Sequence, residues 1–187
     1  MSKQNSTGAY IARLTLILFL ITAVVALLLG AVNAITKDRI AALNAQKTAD
    51  SIRTVLESDA EPEAVTDFRD DTGLVTAVYR MGEDGYAVEI VVGGSQGDID
   101  MMVGVDAQGA VSGISFISMS ETSGLGAVAA QNSAKGEAFR SQFTGKTGSV
   151  AVTKDGGDID ALTGATITSR AVSNGVNAAL GCVANFS

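Results

Sequence analysis

The stretch Leu74–Ile117, LVTAVYRMGEDGYAVEIVVGGSQGDIDMMVGVDAQGAVSGISFI, decides the fold. It holds four strand-like runs, Leu74–Arg80, Tyr86–Val92, Asp98–Val105 and Ala110–Ile117. Between them lie Gly82-Glu83-Asp84-Gly85, Gly93-Gly94-Ser95-Gln96-Gly97 and Asp106-Ala107-Gln108-Gly109. Branched and aromatic side chains suit a pleated surface, while Gly and Asp accept the positive φ that tight turns require. The pattern predicts an antiparallel sheet joined by hairpins.

Helical patterns flank this sheet. Before it, Ile40, Leu43, Ile52, Val55 and Leu56 fall at mixed three- and four-residue steps, which predicts a helix that Glu61-Pro62-Glu63 ends. After it, Ala138–Phe143 reads as a short helix and Ser149–Thr153 as a short strand. The run Ile167–Val183 reads as a longer helix with Ile167, Ala171, Val172, Val176, Ala179, Leu180 and Val183 on its apolar face. The expected class is α+β.

An apolar segment precedes all of this. Leu14–Thr36 is 23 residues without a charge. At 1.5 Å per residue such a helix reaches about 34 Å, enough to cross a hydrocarbon core of ~30 Å. A cleaved signal peptide is the rival, through Val32-Asn33-Ala34, but signal apolar regions run to only ~7–15 residues. The expected organisation is a short N-terminus over 1–13, a transmembrane helix over 14–36, a helical connector over 37–60 and one soluble domain over 61–187. Lys3 and Arg13 precede the span while Lys37, Arg39 and Lys47 follow it, so charge counting leaves the orientation open.

Composition removes several chemistries. The 187 residues contain 20 acidic and 13 basic side chains, a formal net charge of -7, no His, and Cys182 as the single cysteine. So acidic a chain is not expected to bind nucleic acid. Zinc–cysteine, iron–sulfur and His-ligated haem centres lack ligands, and Ser-His-Asp or Cys-His catalysis lacks its base. Any redox cofactor is expected to be organic.

The most informative chemical stretch is Lys154-Asp155-Gly156-Gly157-Asp158-Ile159-Asp160-Ala161-Leu162-Thr163-Gly164-Ala165-Thr166, which runs straight into the C-terminal helix. Small residues at 163–165 let backbone approach a ligand, and a helix start offers unpaired N–H groups and a positive dipole end, which suits a phosphate. On spacing alone, the favoured reading is Thr166 as the N-cap of that helix and Thr163 as a turn residue. A threonine hydroxyl is a poor nucleophile, and the chain offers no His to activate it.

The run Asp160-Ala161-Leu162-Thr163-Gly164-Ala165-Thr166 resembles the flavinylation motif of the G subunit of the Rnf electron-transport complex. It is similar, less closely, to that of the C subunit of the sodium-translocating NADH:quinone reductase. The resemblance implies FMN joined by a phosphoester to Thr166, with Asp160, Thr163, Gly164 and Ala165 completing a motif that a separate flavin transferase reads, using FAD and a divalent metal. Glu121-Thr122-Ser123-Gly124-Leu125-Gly126 resembles the family's Glu-Thr-Pro-Gly-Leu-Gly loop, with Ser123 in place of Pro. In the family that loop is expected to lie against the isoalloxazine ring, so Glu121 and Thr122 are expected at the flavin's polar edge and Leu125 on its face. The N–H groups at the helix start, with Lys154 or Arg170, are expected to balance the phosphodiester charge. The likeness extends to the N-terminal span and to Phe139-x-x-x-Phe143-x-Gly145-Lys146.

By the same resemblance, the chain is expected to be a single-pass protein of a bacterial cell membrane with its FMN-binding domain on the extracytoplasmic side. It would carry electrons within an ion-translocating ferredoxin:NAD oxidoreductase complex, with the other subunits of that complex and the flavin transferase as partners. The alternatives are the quinone-reductase subunit or another extracytoplasmic flavin shuttle, and a membrane-anchored interaction module that never receives flavin.

Overall fold

The computed structural model describes residues 4–58 and 60–186. Lys3, in the expected N-terminal segment 1–13, and Ser187, the last residue of the expected domain, lie outside them. The chain divides into two units, residues 1–43 and 44–187.

In the first unit the chain is helical from Gln4 onward. It belongs to α1 (Gln4–Leu56), one helix long and apolar enough to cross a membrane. Leu18, Leu27, Leu28 and Ile35 are exposed along it. Thr22 and Thr36 turn their hydroxyls back onto the carbonyls of Leu18 (3.0 Å) and Val32 (2.9 Å), satisfying themselves within the helix. That is how a polar side chain is tolerated where water is absent.

The second unit begins inside α1, whose last turns belong to it. The helix stops at Leu56 rather than at Pro62, because Glu57 takes φ 48° and turns the chain aside. Ser58 fixes the new direction by donating to Asp84 Oδ2 (2.5 Å) and accepting from the Ala60 N–H (3.1 Å). Five antiparallel strands follow in simple sequential order: β1 (Glu63–Val65), β2 (Val75–Arg80), β3 (Gly85–Gly93), β4 (Asp98–Asp106) and β5 (Val111–Met119). The four strands read from the sequence are present, with ends moved by one or two residues. The three-residue β1 is an addition, too short to show a period in the sequence.

Both faces of the sheet are covered, which is why Met101 to Val105 are buried without alternation. One face carries Val88, Ile90, Ile99, Met101 and Val103, covered by α3 (Thr166–Val183) through Val172, Val176 and Ala179. Gly175 brings α3 close, since a Cβ there would lie 2.1 Å from Met101 Cε. The other face holds Ala87, Met102 and Ile117 with Ile52 and Val55 at the end of α1. There the Ser112 hydroxyl donates to Val55 O at 2.5 Å, and Gly104 leaves room for that carbonyl, 2.4 Å from where its Cβ would be.

Beyond the sheet, α2 (Ala134–Ser141) starts four residues earlier than the apolar pattern suggests, because Ser133 Oγ caps it by accepting the Gly136 N–H (3.3 Å). Phe139 and Phe143 meet edge to face at 5.4 Å in the core. The strand expected over Ser149–Thr153 does not form. Only an isolated parallel bridge joins Val152 to Ile159, and Thr153–Asp155 closes into a 3₁₀ turn. The two-residue bridge suffices to fold the segment 154–158 back, with Gly157 against the Ala151 carbonyl.

Candidate functional site

Gly164 prepares the start of α3. The turn Leu162–Ala165 is closed by the Ala165 N–H on Leu162 O at 2.9 Å, with Gly164 in third place at φ 76°, a conformation that side-chain-bearing residues avoid. A Cβ on Gly164 would also lie 3.1 Å from Leu125 Cδ2, so the glycine lets this turn approach the loop that carries Leu125. The helix then begins at Thr166. Its N-cap is Ala165, which has no capping side chain, so Thr166 is the first helical residue and not the cap that spacing alone allowed.

Around Thr166 lies a cleft of about 300 Å³ whose walls include Ser95, Glu121, Thr122, Leu125, Lys154 and Thr166. Gly164 and Ala165 line it too. Seven of the ten residues singled out from the sequence are thus brought together, although they come from two separate segments, 121–125 and 154–166. Asp160 and Thr163 are not among them. They line a neighbouring cleft of about 710 Å³ with Phe139 and Gln142, and Leu125 borders both. The Asp160 backbone is held there by Gln142, whose Oε1 accepts the Asp160 N–H at 2.7 Å and whose Nε2 donates to Asp160 O at 3.2 Å.

Electrostatics separate the two basic residues. Lys154 Nζ donates to Thr166 Oγ1 at 3.3 Å, so an ammonium stands beside the hydroxyl. Arg170 instead makes a bidentate pair with Asp155, both distances 2.6 Å. That hydrogen-bonded pairing holds the Asp155 carboxyl below its usual value and raises Arg170. Arg170 does not line the cleft, so among the described residues Lys154 is the cation that faces it.

Glu121 lines the cleft and is tied to three segments of the chain. Its Oε1 accepts the N–H groups of Ser95 (2.7 Å) and Gln96 (3.0 Å), and its Oε2 accepts the Thr168 hydroxyl (2.6 Å). Burial works against its ionisation, yet these hydrogen bonds outweigh that and hold its carboxyl below the usual range. Thr122 is exposed on the cleft wall, and its carbonyl accepts the N–H groups of Leu125 (3.1 Å) and Ala127 (3.2 Å).

Three cleft residues escape the sequence reading, Ser95, Ile167 and Thr168, while Gly126 belongs to the loop read from it. The apolar period assigns Ile167 to the buried face of the helix, but it is 58% exposed. Among the described residues from Asn44 onward, Leu125 and Ile167 are the exposed large apolar side chains, and both border this cleft. Two such side chains side by side at the surface are an apolar contact in want of a partner. Gly94 beside Ser95, and Gly126 packed on Thr168, are the signal for the rest, since glycine allows a close approach.

The site and its fold define a class. Residues 94–181 match the family model described as the FMN-binding domain, which covers Glu121, Lys154 and Thr166 alike. Three relatives extend the likeness to nearly the whole chain. The G subunit of the Na(+)-translocating ferredoxin:NAD(+) oxidoreductase complex of Acetobacterium woodii is 32% identical over 94% of this chain and 92% of its own. The G subunit of the ion-translocating oxidoreductase complex of Methanosarcina acetivorans is 31% identical over 94% and 95%. The G subunit of the proton-translocating ferredoxin:NAD(+) oxidoreductase complex of Clostridium ljungdahlii is 35% identical over 98% and 95%. The chain belongs to the family of G subunits of the ion-translocating oxidoreductase, or Rnf, complexes.

The residues present fit the phosphate end of FMN. An α-helix start without a side-chain cap, a neighbouring ammonium and a half-buried hydroxyl meet in one cleft. Free helix-start N–H groups and an ammonium are donors suited to phosphate oxygens.

Proposed function

We propose that this chain is the electron-carrier subunit of a membrane-bound, ion-translocating ferredoxin:NAD oxidoreductase complex, and that it holds FMN covalently through its phosphate on Thr166 Oγ. The observation that carries the assignment is the Thr166 hydroxyl at the uncapped start of α3, in the cleft and 3.3 Å from Lys154 Nζ. The three relatives, each the G subunit of an ion-translocating oxidoreductase complex, support this reading over the related quinone-reductase subunit.

Thr166 acts as the acceptor in a phosphoryl transfer carried out by a flavin transferase. Its Oγ forms a bond to the phosphorus of the FMN half of FAD as the pyrophosphate bond breaks. AMP leaves, the hydroxyl proton passes to a base on the transferase, and no oxidation state changes. The transferase supplies the activation that this chain lacks, having no His. Lys154 and the first N–H groups of α3 then balance the remaining diester charge. Leu125 and Ile167 offer the apolar contact for the ring system, and Asp160 and Thr163 present the rest of the motif on the adjacent surface. FMN, once bound, takes up and passes on electrons; the chain contributes position and electrostatics.

A covalent tether explains the open form of the site, because an exposed flavin that meets successive partners cannot be lost. Those partners are the other members of the complex. The apolar part of α1 serves as a single membrane span, with the domain on the extracytoplasmic side.

The test is co-expression of the full chain with a flavin transferase, followed by a denaturing gel viewed under ultraviolet light. The parent is expected to fluoresce and Thr166→Ala to be dark while still folded. A dark parent beside an active transferase would favour the unmodified interaction module, and a fluorescent Thr166→Ala would move the attachment elsewhere.

A further inference from the structure

The start of α3 is built without the usual side-chain cap, yet it is not loose. Ser169 Oγ accepts the Leu162 N–H and donates to Ala165 O, both at 3.0 Å. Thr168 is only 1% exposed, and its hydroxyl donates to Glu121 at 2.6 Å. A capping side chain would occupy N–H groups of the first turn, the groups a phosphate needs. Here the turn is held from its flank by two hydroxyls instead, and its end stays open.

Glu121 is the far half of that brace. Its carboxylate joins three segments that wall the cleft: the β3–β4 turn through Ser95 and Gln96, its own loop after β5, and the first turn of α3 through Thr168. Two glycines make room for it. A Cβ on Gly94 would lie 2.3 Å from Glu121 Oε1, and one on Gly126 would lie 2.6 Å from Oε2 and 2.5 Å from Thr168 Oγ1. Both oxygens accept hydrogen bonds from within the chain.

We infer that Glu121 is a positioning residue for the Thr166 site: through Thr168 it fixes the first turn of α3 against the Leu125 loop, and so holds the acceptor hydroxyl in place while leaving the helix end free for phosphate. This rests on the attachment proposed above. A hydrogen bond to a charged, half-buried group is strong enough that its loss releases the turn. The threonine hydroxyl is the active part, and its methyl group is not.

The experiment compares the full-length parent in detergent with Thr168→Val, Thr168→Ser, Glu121→Ala and the double variant Glu121→Ala/Thr168→Val. Each is incubated with flavin transferase, FAD and Mg²⁺, and initial labelling rates are expressed per folded protein. Amide hydrogen exchange of Ser169, whose N–H donates to Ala165 O at 3.0 Å, is followed on unlabelled samples. Thr168→Val and Glu121→Ala are each expected to lower labelling kcat/KM by about tenfold. Thr168→Ser keeps the parent's rate, and the double variant is no slower than Glu121→Ala alone, since Glu121→Ala already removes the contact that Thr168→Val removes. Exchange at Ser169 rises in Thr168→Val and not in Thr168→Ser.

Thr168→Val labelling at the parent's rate, or Thr168→Ser as slow as Thr168→Val, would overturn the inference. So would unchanged exchange at Ser169 in Thr168→Val, a result that stands whether or not any sample is labelled. The attachment itself is judged separately, by parent against Thr166→Ala.

Discussion

Thr166 and Asp100 mark two opposite ways of placing a polar group. The Thr166 hydroxyl is half-buried beside an ammonium and can be reached from solvent. Asp100 lies half-buried on the α1 side of the sheet, and its Oδ1 is buried without a hydrogen-bond partner. Burial pushes the Asp100 carboxyl up, and burial together with the Asp100 charge pushes Glu89 up as well. A carboxyl whose folded value is raised weakens the fold as pH rises through that value, and the cost vanishes in acid, where it is protonated in both states. Asp100→Asn is therefore expected to raise the melting temperature at pH 8, with the gain shrinking toward pH 4. Equal melting curves for parent and variant at pH 8 would show that the carboxylate is not strained there.

At the scale of elements, the loops do more than the strands to shape the site. The turn Leu162–Ala165 is the sharpest case, because Gly164 serves both its positive φ and the approach of Leu125. Gly164→Ala is expected to cost about 1–3 kcal/mol of unfolding free energy, measured by urea denaturation, since a left-handed conformation is forced on a residue with a Cβ. An unchanged denaturation midpoint would show that the turn relaxes without strain. The four long strands and α3 were legible because apolar period and turn residues agree locally. So were both chemical loops, because their residues are contiguous. The brace was not legible, since Glu121 meets Ser95 across 26 positions and Thr168 across 47. The early start of α2 was missed because Ser133 precedes a polar first turn with no apolar signal. Ile167 was misassigned because helical period places it with the core while the open end of α3 leaves it at the surface.

At the scale of the whole molecule, a chain with no His and one buried cysteine has no ligands for a His-ligated haem or a cysteine-held cluster, and it belongs to a family of flavin-binding subunits. Its sheet, covered on both faces, fixes two remote loops and one helix end around a shallow cleft, and α1 is long and apolar enough to reach through a membrane. The central claim is that this frame exists to present one threonine for flavin attachment. Trypsin releases Thr166 in the peptide Asp155–Arg170, which also holds Thr163, Thr168 and Ser169. The most direct measurement is fragmentation mass spectrometry of that peptide from the full chain purified with an active flavin transferase present in the cells. The account predicts a peptide heavier by FMN less one water, with the added mass on Thr166. An unmodified peptide, or the same mass on Thr163 or Thr168, would contradict it.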